Sequence, residues 1–374
     1  MVQTTVASPL PAFLTVSDIH YGQENKSDEA QDIGDDFLTI AFNKLKQLTK
    51  KVDFILVLGD LPTHSLFHNP KKDEYVKTVF HKLFEADPDL KPMFYITGNN
   101  DSPLGNYQAF ESNGKSPLSF ATEWTGACVH CEGLMIDSTH MNKAGYYSSY
   151  VIPGNKDIVL IALNTNQLVK TPFLLPQYPT QEQDALTQLK WFEQQLKNHH
   201  AKQLLIAMHI PPGYSYTGSL FWHEKYLETF LSLLQNYHKS YDQLSLLTAH
   251  THMDEIRKID LKDNAFVYSY SSPSISWNHH NNPGIKLFIM NKQMAIINAI
   301  TYYTNKLTHW GNQQYQAIGS LGAIFPKCID KSLAGCLDTL SQKEACNYLE
   351  QDLFYGVKSD RVFKNVCNKT YKVN

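Results

Sequence analysis

Residues 54–64 read Phe54-Ile55-Leu56-Val57-Leu58-Gly59-Asp60-Leu61-Pro62-Thr63-His64, an apolar run of strand length that stops at Gly-Asp. Such a run, bounded by turn residues, fits a strand buried on both faces of a sheet flanked by helices. Four more segments repeat the pattern. Residues 13–16 lead into Ser17-Asp18-Ile19-His20, 93–97 into Gly98-Asn99-Asn100-Asp101, 204–207 into Met208-His209, and 244–248 into Ala249-His250-Thr251-His252. Loops at the carboxyl ends of such strands converge on one sheet edge. Residues distant in sequence are therefore expected to meet in space.

The residues at those five ends share one chemistry. Asp, Asn and His are oxygen and nitrogen donors suited to zinc, manganese or iron, and no cysteine stands among them, which argues against a thiolate site. The expected arrangement has Asp18, His20, Asp60 and His252 around one cation and Asp60, Asn99, His209 and His250 around a second, with Asp60 bridging. Two cations ~3.5–4 Å apart can share a water, lower its pKa towards ~7 and clamp the attacking and leaving oxygens of a displacement at phosphorus. Taken singly, each segment has a plainer reading. A Gly-Asp after a strand is ordinarily a turn, Asn99-Asn100-Asp101 suits local backbone bonding, and a lone His209 or an exposed His250/His252 pair is ordinarily structural. The joint, ordered occurrence of the ligand types is what points to a dinuclear centre.

At this point the chain resembles the calcineurin-like metallophosphoesterases, whose pattern runs D-x-H, G-D, G-N-H-D/E, H and G-H-x-H. More closely, it is similar to the acid sphingomyelinase-like phosphodiesterases. That match rests on Gly59 to His64, on His209-Ile210-Pro211-Pro212-Gly213, on Trp222 and Tyr226, on Leu163-Asn164-Thr165-Asn166, and on Ser272-Pro273-Ser274 through Asn282-Pro283-Gly284. It covers about residues 12–300. The resemblance implies a phosphodiesterase or pyrophosphohydrolase that uses two divalent ions, zinc foremost, with manganese or iron as alternatives.

Two positions depart from the family pattern. Ala249 replaces the Gly of G-H-x-H, which matters little if the backbone there has negative φ. Asn100 replaces the His of G-N-H-D/E, and Asn cannot act as a general acid. His64, four residues after Asp60, matches a family position proposed as a catalytic acid and is the expected substitute; a loop histidine packed under Pro62 is the alternative. Asp101 is read as orienting a ligand or His64, or else as a turn residue.

Composition sets outer bounds. The chain has 374 residues, 43% of them hydrophobic, enough for one large α/β domain with an appendage. Its formal net charge is −3 and it has no basic run, so duplex nucleic acid is not an expected partner. Arg257 and Arg361 are the only arginines, so no arginine cluster is available to clamp phosphates. No apolar run reaches the ~18 residues of a spanning helix, so membrane insertion is not expected, and residues 1–10 lack a secretion-signal layout. Cys328, Cys336, Cys346 and Cys367 cluster late in the chain and fit two disulfides. Cys128 and Cys131 form a C-x-x-C without a partner pair for a zinc site. Disulfides favour a secreted or otherwise oxidising location; six buried free thiols in a cytoplasmic protein is the alternative. A monomer is expected.

Between the ligand strands, periodicity predicts helices over 36–48, 74–84, from Thr180 with a Thr180/Gln183 capping box, and over 222–237. Further strands are expected at 158–163, 265–270, 285–290 and 295–299. The resulting expectation is an α/β/β/α four-layer sandwich of two mixed sheets over residues 11–303, followed by a small helical, cysteine-containing subdomain over 304–374.

Substrate is less legible. Relatives acting on sphingomyelin carry a lipid-extracting domain before the catalytic core, whereas only seventeen residues precede Asp18. The expectation is therefore a soluble phosphodiester or phosphoanhydride, such as a nucleotide or a CDP-choline-like compound. Tyr214, Trp222, His223, Trp277, His279 and His280 offer faces for a base or choline head group and fit packing roles equally well. The Gly-Asn-Asn-Asp variant also resembles that of endopolyphosphatases, and a phosphate leaving group needs little acid assistance. An endopolyphosphatase or phosphomonoesterase, and a catalytically silent binding module, stand as alternatives.

Overall fold

The computed structural model describes residues 10–22, 32–64, 69–172, 175–350 and 365–374. The chain begins the first sheet with β1 (Ala12–Val16), β2 (Phe54–Val57), β3 (Met93–Tyr95) and β4 (Cys128–Val129). It then builds the second sheet from β5 (Met135–Asp137), β6 (Tyr147–Ile152), β7 (Asn155–Leu163), β8 (Gln203–Met208), β9 (Gln243–Thr248), β10 (Ile256–Asp260) and β11 (Phe266–Ser271). The first sheet is completed by β12 (Gly284–Met290), β13 (Ile296–Tyr303) and β14 (Gln314–Gln316), and the second by β15 (Lys372–Val373). Spatial orders are β14-β13-β12-β1-β2-β3-β4 and β15-β10-β11-β9-β8-β7-β6-β5. Within them β1, β2 and β3 run parallel, as do β7, β8, β9 and β11, and the flanking pairs include antiparallel ones, so both sheets are mixed.

Alternation along the strands assigns the layers. In β8, Leu205 and Ala207 join the core shared with the first sheet, while Leu204, Ile206 and Met208 join a second core. β7 does the same with Leu160 and Ala162 against Val159, Ile161 and Leu163. A side-chain period of two on a strand buried on both faces gives this division, and it explains why these strands read as continuous apolar runs. Helices α1 (Asp35–Thr49) and α2 (Lys72–Glu85) add Phe37, Leu45, Val79 and Phe80 to the first core. After the short α3 (Met141–Ala144), α4 (Gln181–Asn198) and α5 (Glu224–Tyr237) add Leu189, Phe192, Phe230 and Leu234 to the second. The four-layer arrangement is as expected from the sequence.

Two helix starts differ from the sequence reading. Thr180 precedes α4 without capping it: its hydroxyl donates to Asp184 Oδ2 at 2.9 Å, and Gln183 reaches forward to Thr187. Competing side-chain partners thus dissolve the predicted box. Trp222 bridges to Val169 in extended backbone, and the helix begins two residues later, at Glu224.

Residues after β13 form α6 (Ala317–Ile324), α7 (Leu333–Leu337), α8 (Gln342–Leu349) and α9 (Val366–Thr370). Disulfides Cys328–Cys336 and Cys346–Cys367 staple this segment, as Cys128–Cys131 closes the earlier C-x-x-C on itself. No cysteine is left free, which removes the reading of six thiols and fits an oxidising compartment. Among the described residues, no helix is long and apolar enough to cross a membrane.

Candidate active site

The ends of β1, β2 and β3 meet those of β8 and β9 along one rim shared by both sheets. Backbone bonds tie the ends together: the Asp18 amide donates to Gly59 O at 3.0 Å, that of His20 to Asp60 O at 3.1 Å, and that of Ala249 to His209 O at 2.8 Å. As the strands stop, the chain twists into left-handed conformation at Asp18, His20, Asp60, His250 and His252, with φ of 48°, 48°, 55°, 70° and 61°. Such geometry costs an L-residue ~1–2 kcal/mol and concentrates at functional sites. Ala249 has negative φ, so the Gly-to-Ala change is conformationally neutral.

Ligand-capable atoms cluster accordingly. Those of Asp18, His20 and Asp60 lie within 4.8 Å of one another, as do those of Asp60, His209 and His250, and those of His20, His64 and His252. Asp60 belongs to two of the groups. Three of the four ligand histidines are oriented by their far nitrogen: Nδ1 of His20 contacts Pro62 O at 3.2 Å, Nδ1 of His209 contacts Leu58 O at 2.6 Å, and Nδ1 of His252 contacts Asn278 O at 3.1 Å. Backbone carbonyls at Nδ1 leave Nε2 as the ligand atom, the usual device around a metal. Asn99 is fixed similarly, since its Nδ2 donates to Asn106 Oδ1 at 2.7 Å and only its carbonyl oxygen remains.

Three of these ligand atoms, Asp18 Oδ1, Asn99 Oδ1 and His209 Nε2, are buried without a hydrogen-bond partner among the described residues; His209 Nε2 faces Asp60 Oδ2 at 3.2 Å and Asp18 Oδ1 faces His252 Nε2 at 3.3 Å as ionic neighbours only. Burying a polar atom unpaired costs ~1–3 kcal/mol, and a cation is the partner that all three can take at once. The charges agree. Burial would raise Asp18 and Asp60, but the surrounding imidazoles override it and hold both well below the ordinary carboxylate range. His209 answers them: burial pulls it down, yet Asp60 and Asp18 push it up to about 9. Two ionised buried acids facing a ring of imidazoles make a site for positive charge, and the residues present fit divalent ions.

Asn100 and Asp101 face inward. Asn100 donates its backbone N–H to Asp60 Oδ1 at 2.7 Å and its Nδ2 to Asp60 Oδ2 at 2.8 Å. Asp101 does not touch His64. Its Oδ2 accepts from the amides of Asp60 (3.0 Å) and Gly98 (2.7 Å) and from Tyr95 Oη (2.8 Å), and its Oδ1 from the Leu61 amide (2.8 Å). It is a clamp on the loops that carry the ligands.

His64 stacks on His20 with ring centroids 3.7 Å apart and keeps a third of its side chain open to solvent. Its Nδ1 meets Asp32 Oδ1 at 2.7 Å, and although burial works against protonation, Asp32 outweighs it and raises the His64 pKa. Sequence reasoning missed Asp32, which lies in a polar stretch with no periodic signal. It also missed Asn106 and Tyr107, whose amide donates to Asn99 O at 2.8 Å and whose hydroxyl lies 3.5 Å from His250 Nε2.

Of the six residues predicted to meet substrate, His279 is brought to the site, edge-on to His252 at 4.7 Å and to His64 at 6.3 Å. Trp222 is not. It is fully buried, its Nε1 donates to Ile210 O at 3.2 Å, and it packs on Phe230, so it braces the loop after His209 from behind. Trp277 is likewise buried, against Phe37. Tyr214 and His223 form no hydrogen bond or ring contact with the ligand residues, among the described residues, and the side chain of His280 lies outside what is described. Phe221, unpredicted, meets the His250 ring at 5.3 Å.

A rim of buried Asp, Asn and His with unpaired ligand atoms, at the strand ends of a two-sheet sandwich, defines a metal-dependent phosphoester hydrolase. Residues 11–254 match the family model described as calcineurin-like phosphoesterase, and the chain belongs to that family. Among curated proteins it is 26% identical to "Sphingomyelinase phosphodiesterase D" of Dictyostelium discoideum, covering 71% of this chain and 59% of that protein. It is 24% identical to "Sphingomyelin phosphodiesterase A" of the same organism, covering 71% and 44%. The chain thus spans about half the length of these relatives. Among solved structures it is similar to PhoD, at TM-score 0.47 and 13% identity over 82% of this chain and 68% of that one. A purple acid phosphatase from yellow lupin (Lupinus luteus) seeds gives TM-score 0.47 and 12% identity over 83% and 54%.

Proposed function

We propose that this chain is a phosphodiesterase or pyrophosphohydrolase working with two divalent ions, zinc foremost. Asp18, His20, Asp60 and His252 hold one ion, Asp60, Asn99, His209 and His250 the other. The observation that carries this reading is the set of three buried ligand atoms on separate loops, Asp18 Oδ1, Asn99 Oδ1 and His209 Nε2, that find no hydrogen-bond partner among the described residues. A binding module without ions leaves these three atoms without a partner.

The ions, when bound, supply an activated water and charge for the phosphoryl oxygens. The chain's own residues do the rest. Asn100 fixes both oxygens of Asp60, Asp101 fixes its backbone, and the backbone carbonyls at Nδ1 hold the His20, His209 and His252 rings in register. His64, one-third open beside His20, protonates the departing oxygen. Because the amide of Asn100 is spent on Asp60, no second proton donor stands at that position. Substrates with good leaving groups follow, including phosphoanhydrides, and this favours a polyphosphate as the second reading.

The catalytic unit is assigned to residues 11–303, with 304–374 as a mainly helical part that also lends β14 and β15 to the two sheets, the protein to a secreted or otherwise oxidising location, and the oligomeric state to a monomer. The relatives' names add sphingomyelin to the soluble diesters as a candidate. Metal analysis combined with hydrolysis of bis-p-nitrophenyl phosphate, p-nitrophenyl phosphate, ATP, CDP-choline, sphingomyelin micelles and polyphosphate tests the proposal. Two ions per chain and cleavage of diesters without monoesters are expected. No turnover of any of these by metal-replete protein would leave a binding module.

A further inference from the structure

Asp32 is coordinated like a residue with a task. Its Oδ2 accepts the Thr63 hydroxyl at 2.5 Å and the His64 backbone N–H at 2.7 Å, while its Oδ1 takes His64 Nδ1 at 2.7 Å and Asn278 Nδ2 at 3.1 Å. Every one of these partners is either His64 or a neighbour of it. On its face the His64 ring is held by the stack on His20, and Asn278, which also lies 3.2 Å from His64 Nδ1, receives His252 Nδ1 on its carbonyl. The ring is thus fixed at its backbone, its face and one nitrogen, and only Nε2 is left for substrate.

We propose that Asp32 is the positioning residue for His64, holding the proton on Nδ1 and the ring plane so that Nε2 meets the leaving oxygen of the substrate. A carboxylate on the far nitrogen of an imidazole selects tautomer and orientation in this way. This rests on the reading of His64 as the acid. In the step itself the oxygen of the attacking water bonds to phosphorus. The P–O bond to the leaving group breaks with its electron pair on that oxygen, which takes the Nε2 proton. The proton lost by the water returns to His64 through solvent. Asp32 touches no reacting atom, so its contribution is read through His64 alone.

The test compares diesters with an alkoxide and with a p-nitrophenolate leaving group, because only the first needs a proton. Asp32→Asn should lower kcat on the alkyl diester by ~10–100-fold, change p-nitrophenolate release less than ~3-fold, and leave KM and metal content as in the wild type. In a His64→Ala background it should add nothing. On 15N spectra of the metal-loaded protein, Asp32→Asn should shift the Nδ1 resonance of His64. Should Asp32→Asn lower the melting temperature, Thr63→Val, which removes one hydroxyl from the carboxylate and keeps the carboxylate itself, carries the same comparison at smaller amplitude. Equal losses on both leaving groups, or additivity with His64→Ala, would overturn the role of Asp32. Normal turnover by His64→Ala would instead overturn the assignment of the acid, so the two failures are distinguishable.

Discussion

Asp101 accepts the backbone N–H of Asp60 at 3.0 Å, so the carboxylate common to two ligand groups is aimed by an acid that is not a ligand itself. The same side chain takes the Gly98 and Leu61 amides and the Tyr95 hydroxyl, and thereby joins the β2 and β3 loops.

Asp101→Asn turns an acceptor-only group into one that presents an NH2 to N–H donors. Stability should fall by ~1–3 kcal/mol per donor left facing it, and metal affinity by ~10–100-fold. Thermal melts with and without chelator, and titration against a competing chelator, read both. Unchanged affinity would mean that the loops hold their ligands unaided.

Gly98 has no room for a methyl group: a Cβ there would sit inside both the carboxylate and the backbone nitrogen of Asp60. Gly98→Ala should cost ~3 kcal/mol or more, since neither obstacle can swing aside. Gly114, at φ +79° with open space around it, is the control, and its replacement by Ala should cost only ~1 kcal/mol. Similar melting temperatures for the two variants would contradict the close packing at Asp60.

Asn100→His restores the family residue but gives up the amide bond to Asp60 Oδ2. Turnover of alkyl diesters should rise by ~10-fold or more relative to p-nitrophenyl diesters, the gain of a second proton donor. Metal affinity should weaken. If the ratio between the two substrates does not move, leaving-group preference has another origin.

Trp222→Phe separates packing from recognition. Loss of the indole N–H strands Ile210 O and should destabilise by ~1–3 kcal/mol. KM should stay unchanged on every substrate of the panel. A selective rise in KM for choline or nucleotide substrates would return Trp222 to the binding surface.

Lys72 is buried with no hydrogen-bond partner for its ammonium among the described residues, and burial, only partly offset by Asp101 and Asp60, lowers it from the ordinary 10.5 to about 8. Between those pH values the unfolded chain binds the proton that the folded chain has lost, so stability should rise with pH across the window. Below it Lys72 costs up to ~3 kcal/mol. Lys72→Met should therefore stabilise the protein at pH 7 and flatten its stability between pH 8 and 10, as urea melts at several pH values would show.

The ligand strands were legible because strands buried on both faces must be apolar throughout and then end abruptly, which put Asp18, Asp60, Asn99, His209 and His250 at visible boundaries. The conformation of those boundaries was not. Asp and His are enriched at positive φ among non-glycine residues, but most of them lie elsewhere, so residue type alone does not announce the left-handed turn at Asp60. Asp32 was hidden for another reason: its partners Thr63, His64 and Asn278 come from other loops, and nothing local distinguishes it from a solvated acid. Trp222 misled because a tryptophan near a site looks the same in sequence whether its face meets ligand or Phe230. Thr180 and Gln183 matched a capping pattern whose bonds were taken by Asp184 and Thr187.

Five ligand residues held at positive φ give the molecule two tiers of durability. The sandwich interior, with Phe13 stacked between Phe54 and Phe288, is held by apolar packing, whereas the rim carries the positive-φ ligand residues that cations would tie together. Chelation should then loosen the rim first, with amide hydrogens at residues 18–20, 60–61 and 249–252 exchanging early while those of β8 and β12 stay protected.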